Sequence, residues 1–176
     1  TTALHVRDDL GDAVSLVLDG GACGVGIEST IVAFGDGPPM LLRPGGIAVE
    51  DIARVLGRQP RQPGAAAPRA SGTLASHYAP RTPSRLVDAA MLASCMDAGV
   101  AVLARTLARP DNFPGTWRTA PVDASGYAHD LYANLRTLDH AGAREILIEA
   151  LPAGDAWLAV RDRVTRAVHG EDDDRD

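Results

Sequence analysis

"SGYAHDLYANLRTLDHAGAREILIEAL", residues 125–151, sets one kind of periodicity directly against another. Leu131, Leu135 and Leu138 recur at helical spacing and share a face, and Gly142 stands just past the helix end. "REILIEAL" then runs apolar without alternation, as a strand covered on both faces does. Working outward, "VAVLAR" (100–105) reads as a second buried strand. "TWRTAPV" (116–122) reads as a third, after the turn-rich "PDNFPG". "SRLV" (84–87) is a first strand, followed by a helical "DAAMLASCMDAG". "DAWLAVRDRVTRAVHG" (155–170) is a last helix with Trp157, Val160, Val164 and Val168 near one face. Alternating strands and helices over 84–170 predict a parallel sheet covered by helices, an α/β fold.

The chain before this unit is organised differently. A helical pattern around "ALHVRDDLG" (3–11) precedes three β-type runs: "AVSLVLDGG" (13–21), "GIESTIVAFGDG" (26–37) and "PMLLRPGG" (39–46). "VEDIARVLG" (49–57) is a helix closed by Gly57. Three strands and one or two helices in under sixty residues enclose a marginal core, and nothing seals the open strand edges. Residues 1–57 are therefore expected to be the rear portion of a larger domain, and the start at Thr1 rather than Met is consistent with a processed product or fragment. Residues 58–83 hold five prolines and little periodicity, the composition of an extended, semi-rigid linker. Residues 171–176 form an acidic tail.

Charge and composition exclude several functions. Net charge is −6, and "EDDDRD" closes the chain, so gripping a nucleic-acid backbone by counterion release is not expected. No apolar run approaches the roughly 18 residues that span a bilayer, and a cytoplasmic protein is expected. Cys23 and Cys95 match no metal spacing and read as thiols of a reducing compartment. The five histidines form no ligand motif, so no protein metal site is expected. All seventeen basic residues are Arg, and any step that needs a Lys lies beyond this chain.

Chemistry concentrates in three places. In "GIESTIV", Ser29 and Thr30 sit at a strand start, where one hydroxyl could meet a carboxylate or phosphate. The same pattern also fits an ordinary surface Ser and a β-branched strand residue. In "LLRPGG", Arg43 at a strand end could clamp a phosphate bidentately or be a solvated loop arginine. In "SGTLASHYAPRTP" (71–83), His77 and Tyr78 lie side by side on a proline-stiffened backbone. They fit either a nucleotide-stacking pair or an anchor for the linker. Glu28, Asp19 and Asp36 show no acid–base spacing. Tyr127, His129, Tyr132 and His140 fit a half-buried helix face better than a site. No catalytic residue is assigned.

"LDGG", "GIESTIV", "LLRPGGI", "PRASGTLASHYAPRTP", "LYANLRTLD" and "RDRVTRA", in this order, resemble the long form of the YrdC-type threonylcarbamoyl-AMP synthases. The resemblance implies the C-terminal part of a YrdC-like α/β domain, a linker over the active site, and a Rossmann-like parallel α/β domain. It implies synthesis of L-threonylcarbamoyladenylate from L-threonine, bicarbonate and ATP with pyrophosphate release, ATP being a substrate accompanied by Mg²⁺. The product would pass to a separate tRNA-modifying transferase that completes threonylcarbamoylation of adenosine 37. By the same resemblance Ser29 and Thr30 belong to the pocket strand, Arg43 faces the nucleotide phosphates, and His77 and Tyr78 form a lid. The family's Lys-bearing ATP-binding strand and Ser-x-Asn segment have no counterpart here, so this chain is expected to be inactive alone. A non-catalytic nucleotide- or partner-binding module is the alternative. The second unit lacks a G-x-G-x-x-G fingerprint and is assigned no dinucleotide.

Overall fold

The computed structural model describes residues 1–64, 67–72 and 78–169. In chain order the elements are α1 (Ala3–Leu10), β1 (Ile31–Ala33), β2 (Met40–Arg43), α2 (Val49–Leu56), β3 (Ser84–Val87), α3 (Ala89–Ser94), β4 (Val100–Ala104), β5 (Thr116–Thr119), α4 (Ala124–Asp139), β6 (Glu145–Glu149) and α5 (Leu158–Val168). Short 3₁₀ turns cover Gly11–Ala13 and Asp155–Trp157.

The apolar runs build a four-stranded parallel sheet in the order β3-β6-β4-β5. Alternate residues of each strand serve opposite faces. Ala101, Leu103, Ile146 and Ile148 pack with Leu131, Leu135, Leu138, Val160 and Val164 of α4 and α5. Val100, Val102, Ala104 and Leu147 pack on the other side with Leu92, Phe113 and Trp117. Burial on both sides explains why β4 and β6 read as unbroken apolar runs. Helix α4 starts where the Asp123 carboxylate accepts from Gly126 N at 2.8 Å, an N-cap.

Glu149 ends β6 as a buried carboxylate. It accepts from Arg105 N (2.6 Å), Thr106 N (2.9 Å) and the Thr106 hydroxyl, tying the ends of β4 and β6 together. Burial pushes its pKa up, but these donors hold it below the usual glutamate range.

Before residue 58 the structure is thinner. Strands β1 and β2 form an antiparallel pair, and Met40 and Leu41 are the buried hydrophobic side chains of this segment. The expected strand over "AVSLVLDGG" does not form, and Leu16 and Leu18 are exposed. A strand needs a hydrogen-bonding neighbour along its length, and none of the described segments offers one there. "GIESTIVAFGDG" likewise shortens to the three residues that β2 pairs. Leu16, Leu18, Phe34, Ile47 and Val55 are each exposed apolar side chains of this segment.

The two parts meet at Gly26. Its φ is +83°, and a Cβ there would collide with the backbone of Ala128 and His129 in α4. Gly26 thus sits directly on the α4 backbone because it has no side chain. Gly26→Ala is expected to cost about 3 kcal/mol from left-handed strain plus overpacking, read as a lower urea midpoint with the far-ultraviolet spectrum of the folded protein retained.

Candidate functional site

The hairpin places Ser29 and Arg43 against each other. Arg43 stands opposite Ile31, and the register slips between Ile31 and Val32, an irregularity of the kind that re-aims side chains beside sites. Arg43 is 7 % exposed. Its Nε and Nη2 donate to Ser29 O at 3.1 and 3.0 Å, Nη2 also reaches Ser29 Oγ at 3.3 Å, and Nη1 donates to Ser71 O at 2.8 Å. Arg43 is therefore a backbone clamp joining the strand start to the linker. With five N–H donors, it keeps little beyond one Nη1 hydrogen for an anion.

Thr30 takes a different task. Its hydroxyl donates to Ile47 O at 3.0 Å and accepts from Ile47 N at 3.2 Å, so the Pro44–Ile47 turn is stitched back onto the strand start. Gly45 permits this closeness: a Cβ there would overlap the backbone of Glu28, Ser29 and Thr30. Ser29 itself stays exposed. Residues 28–30 precede β1, so Ser29 and Thr30 are shaped by these side-chain and backbone ties rather than by strand pleating.

The linker is fastened at several points. Arg61 bridges in parallel to Met40, with Leu41 N donating to Arg61 O at 2.9 Å. Ser71 is held by Arg43. Thr82 N donates to Asp139 Oδ1 at 2.8 Å, at the end of α4. Tyr78 has φ +53°, the left-handed region that a bulky residue rarely occupies, and its ring meets Tyr132 edge-on at 5.2 Å. His77 lies outside the described residues.

Tyr132 leads back to the hairpin. Its hydroxyl donates to Glu28 at 3.3 and 3.2 Å, and Arg163 of α5 donates through Nε to Glu28 Oε2 at 2.6 Å. Arg163 also donates through Nη2 to Pro44 O (3.0 Å) and through Nη1 to Asp162 (2.5 Å), and its side chain is 1 % exposed. Burial pushes Glu28 up, but Arg163, a backbone amide and Tyr132 together hold it below the ordinary glutamate value. Burial and the adjacent Glu28 raise the Tyr132 phenol, which stays protonated as a donor.

These observations rearrange the residues named from sequence. Ser29, Thr30 and Arg43 come together at one hairpin end, and Tyr78 is linked to them through Tyr132 and Glu28. Glu28 carried no decisive spacing, Tyr132 fitted a helix face, and Arg163 is one arginine among many in α5. The only sequence signal for this trio was its place inside quoted motifs. A wide cleft of about 1470 Å³ borders this network, lined by His5, Asp9, Glu28, Tyr78, Tyr132 and Arg136 among others. Ser29, Thr30 and Arg43 do not line it. Among the described residues no three His, Cys, Asp or Glu side chains gather as metal ligands.

The family described as "Threonylcarbamoyl-AMP synthase, C-terminal domain" matches residues 47–168. The chain belongs to this family. A second family, described as "Telomere recombination", matches residues 1–45. Among curated relatives, the threonylcarbamoyl-AMP synthase of Schizosaccharomyces pombe is 30% identical over 95% of this chain and 48% of its own length. That of Bacillus subtilis is 30% identical over 97% and 53%. The crystal structure of P. abyssi Sua5 complexed with L-threonine superposes with a TM-score of 0.80 at 26% identity, covering 96% of this chain and 53% of that one. A double-alanine variant of the same protein, lacking one His and one Tyr, superposes at 0.72 and 25% identity over 96% and 52%. This member of the synthase family thus spans about half the length of the relatives it matches.

Because Glu28 is depressed in the folded state, its tie to Arg163 stabilises the protein above the ordinary value of 4.5 and is lost as pH falls through the folded value. Glu28→Gln is expected to cost about 2 kcal/mol at neutral pH and to flatten the acid limb of stability below pH 4.5. Urea titrations from pH 7 to 3 check both.

Proposed function

We propose that this chain supplies the rear half of an enzyme that makes L-threonylcarbamoyladenylate. In this reading the threonine amine and bicarbonate give a carbamate with loss of water. A carbamate oxygen then attacks the α-phosphorus of ATP, and pyrophosphate leaves. The observation that carries the proposal is the Arg43 clamp, which draws Ser71 of the linker onto the Ser29 hairpin in a chain of this family. The L-threonine complex of a similar structure supports threonine as a substrate here.

The residue roles belong to the same proposal. Ser29 offers an exposed hydroxyl to the threonyl or adenylate moiety. Thr30 shapes the turn behind it. Arg43 holds the linker and presents its remaining Nη1 hydrogen toward the nucleotide phosphates. His77 and Tyr78 cover the product, a mixed anhydride that water would hydrolyse. The double-alanine variant of P. abyssi Sua5 shows that a His and a Tyr have been replaced together in that protein. The division proposed is 1–57 as the rear of the catalytic domain, 58–83 as the linker, 84–170 as the appended α/β domain and 171–176 as tail. Mg²⁺ would travel with the triphosphate, whose oxygens bind it with few protein ligands. The product would pass to a separate tRNA-modifying transferase, in the cytoplasm; no described helix is long and apolar enough to cross a membrane.

The missing chemistry sits elsewhere. No Lys exists in this chain, and the exposed Leu16, Leu18, Phe34, Ile47 and Val55 would be covered in an enzyme with the further length of its relatives. Pyrophosphate release with threonine, bicarbonate and ATP is expected from the chain extended by such a front half and not from residues 1–176 alone. No adenylate from either protein would overturn the reading and leave a nucleotide-binding module, which ATP titration would then detect. In the extended enzyme, joint replacement of His77 and Tyr78 by Ala should raise the threonine KM or release pyrophosphate without adenylate. Unchanged steady-state kinetics and product ratio would remove the lid role.

A further inference from the structure

We infer that Arg163 and Tyr132, both on helices of the parallel-sheet unit, are positioning residues for the site at Ser29 and Arg43, acting through Glu28 and Pro44. The inference rests on the synthase reading above. Glu28 immediately precedes Ser29, and Pro44 immediately follows Arg43. Arg163 binds the outer pair, Glu28 through Nε and Pro44 through Nη2, while Arg43 binds Ser29 within. Two pairs of adjacent residues, 28–29 and 43–44, are thus tied across the hairpin end by two guanidinium groups.

Each group suits this task. A planar fork can hold a carboxylate and a carbonyl at once, where an ammonium is a single point charge. At 1 % side-chain exposure, Arg163 meets no competing water, and Asp162, itself held by Arg166 at 2.9 Å, balances its charge. Tyr132 bridges both Glu28 oxygens and carries Tyr78 on its ring edge. A movement of the linker at Tyr78 is therefore felt at Glu28, one residue from Ser29. Neither Arg163 nor Tyr132 bonds to Ser29 or Arg43, so both act by setting where the hairpin end sits. Misplacing reacting groups by about 1 Å can cost on the order of 100-fold in rate.

The test uses the complete enzyme, front half included, with R163M, R163K and Y132F. Amide exchange at residues 28–31, 43 and 45–47 should quicken about 10-fold in R163M, while β4 and β6 stay as protected as in the wild type. The threonine KM should rise about 10-fold with a smaller change in kcat, and R163K should recover part of it, since Lys keeps the charge but lacks the planar fork. Y132F should raise pyrophosphate released per adenylate, and its effect should not add to that of Tyr78→Ala. Exchange, KM and product ratio all within about twofold of wild type in R163M and Y132F would overturn the inference. Should R163M fail to fold, R163K and Y132F decide it by the same readouts. A wild type that makes no adenylate would sink the synthase reading, and the exchange comparison would still decide the positioning role.

Discussion

One buried guanidinium holds this molecule's two parts in register. Arg163 leaves the core of the parallel-sheet unit and bonds to Glu28 and to Pro44 O, on either side of the hairpin end. A buried charge is tolerated only when its hydrogens are satisfied and a counter-charge lies close. Glu28 and Asp162 supply that charge, and the geometry that satisfies Arg163 also fixes residues 28 and 44. The segment before residue 58 has too little core to fix them alone. Met40 and Leu41 are its buried apolar side chains, and β1 has three residues.

The linker belongs to the same constraint. Its described residues Arg61, Ser71 and Thr82 are tied to β2, Arg43 and Asp139, so both parts hold it. Prolines reduce the states the free chain can visit, and each tie then orders a segment that had little entropy to lose. Tyr78 is the exception, held at φ +53° against the ring of Tyr132. Strain of that kind persists where the surroundings over-determine it. Here the surroundings are the Tyr132–Glu28–Arg163 chain.

Glycines mark where backbones must touch. Gly26 lies on α4 and Gly45 lies on residues 28–30, and a Cβ at either would occupy space that main-chain atoms already fill. These two positions and the two arginines shape the hairpin end more than strand pairing does. That is why a pattern reading of "GIESTIV" as a long strand overstates β1.

The sequence by itself determined the parallel α/β unit, because leucines at helical spacing and unbroken apolar runs admit few other packings, and the strands and helices of 84–168 fall where those patterns lie. It also brought Ser29, Thr30, Arg43 and Tyr78 forward through short motifs. Tertiary structure alone decided what Arg43 holds and which residues stand behind it. Glu28, Tyr132 and Arg163 are separated by 104 and 135 positions from first to second and first to third. No local period links residues so far apart; only the packing of α4 and α5 onto the hairpin brings their charges together, and a lone arginine in an arginine-rich chain gives no sign beforehand that it will be the one buried.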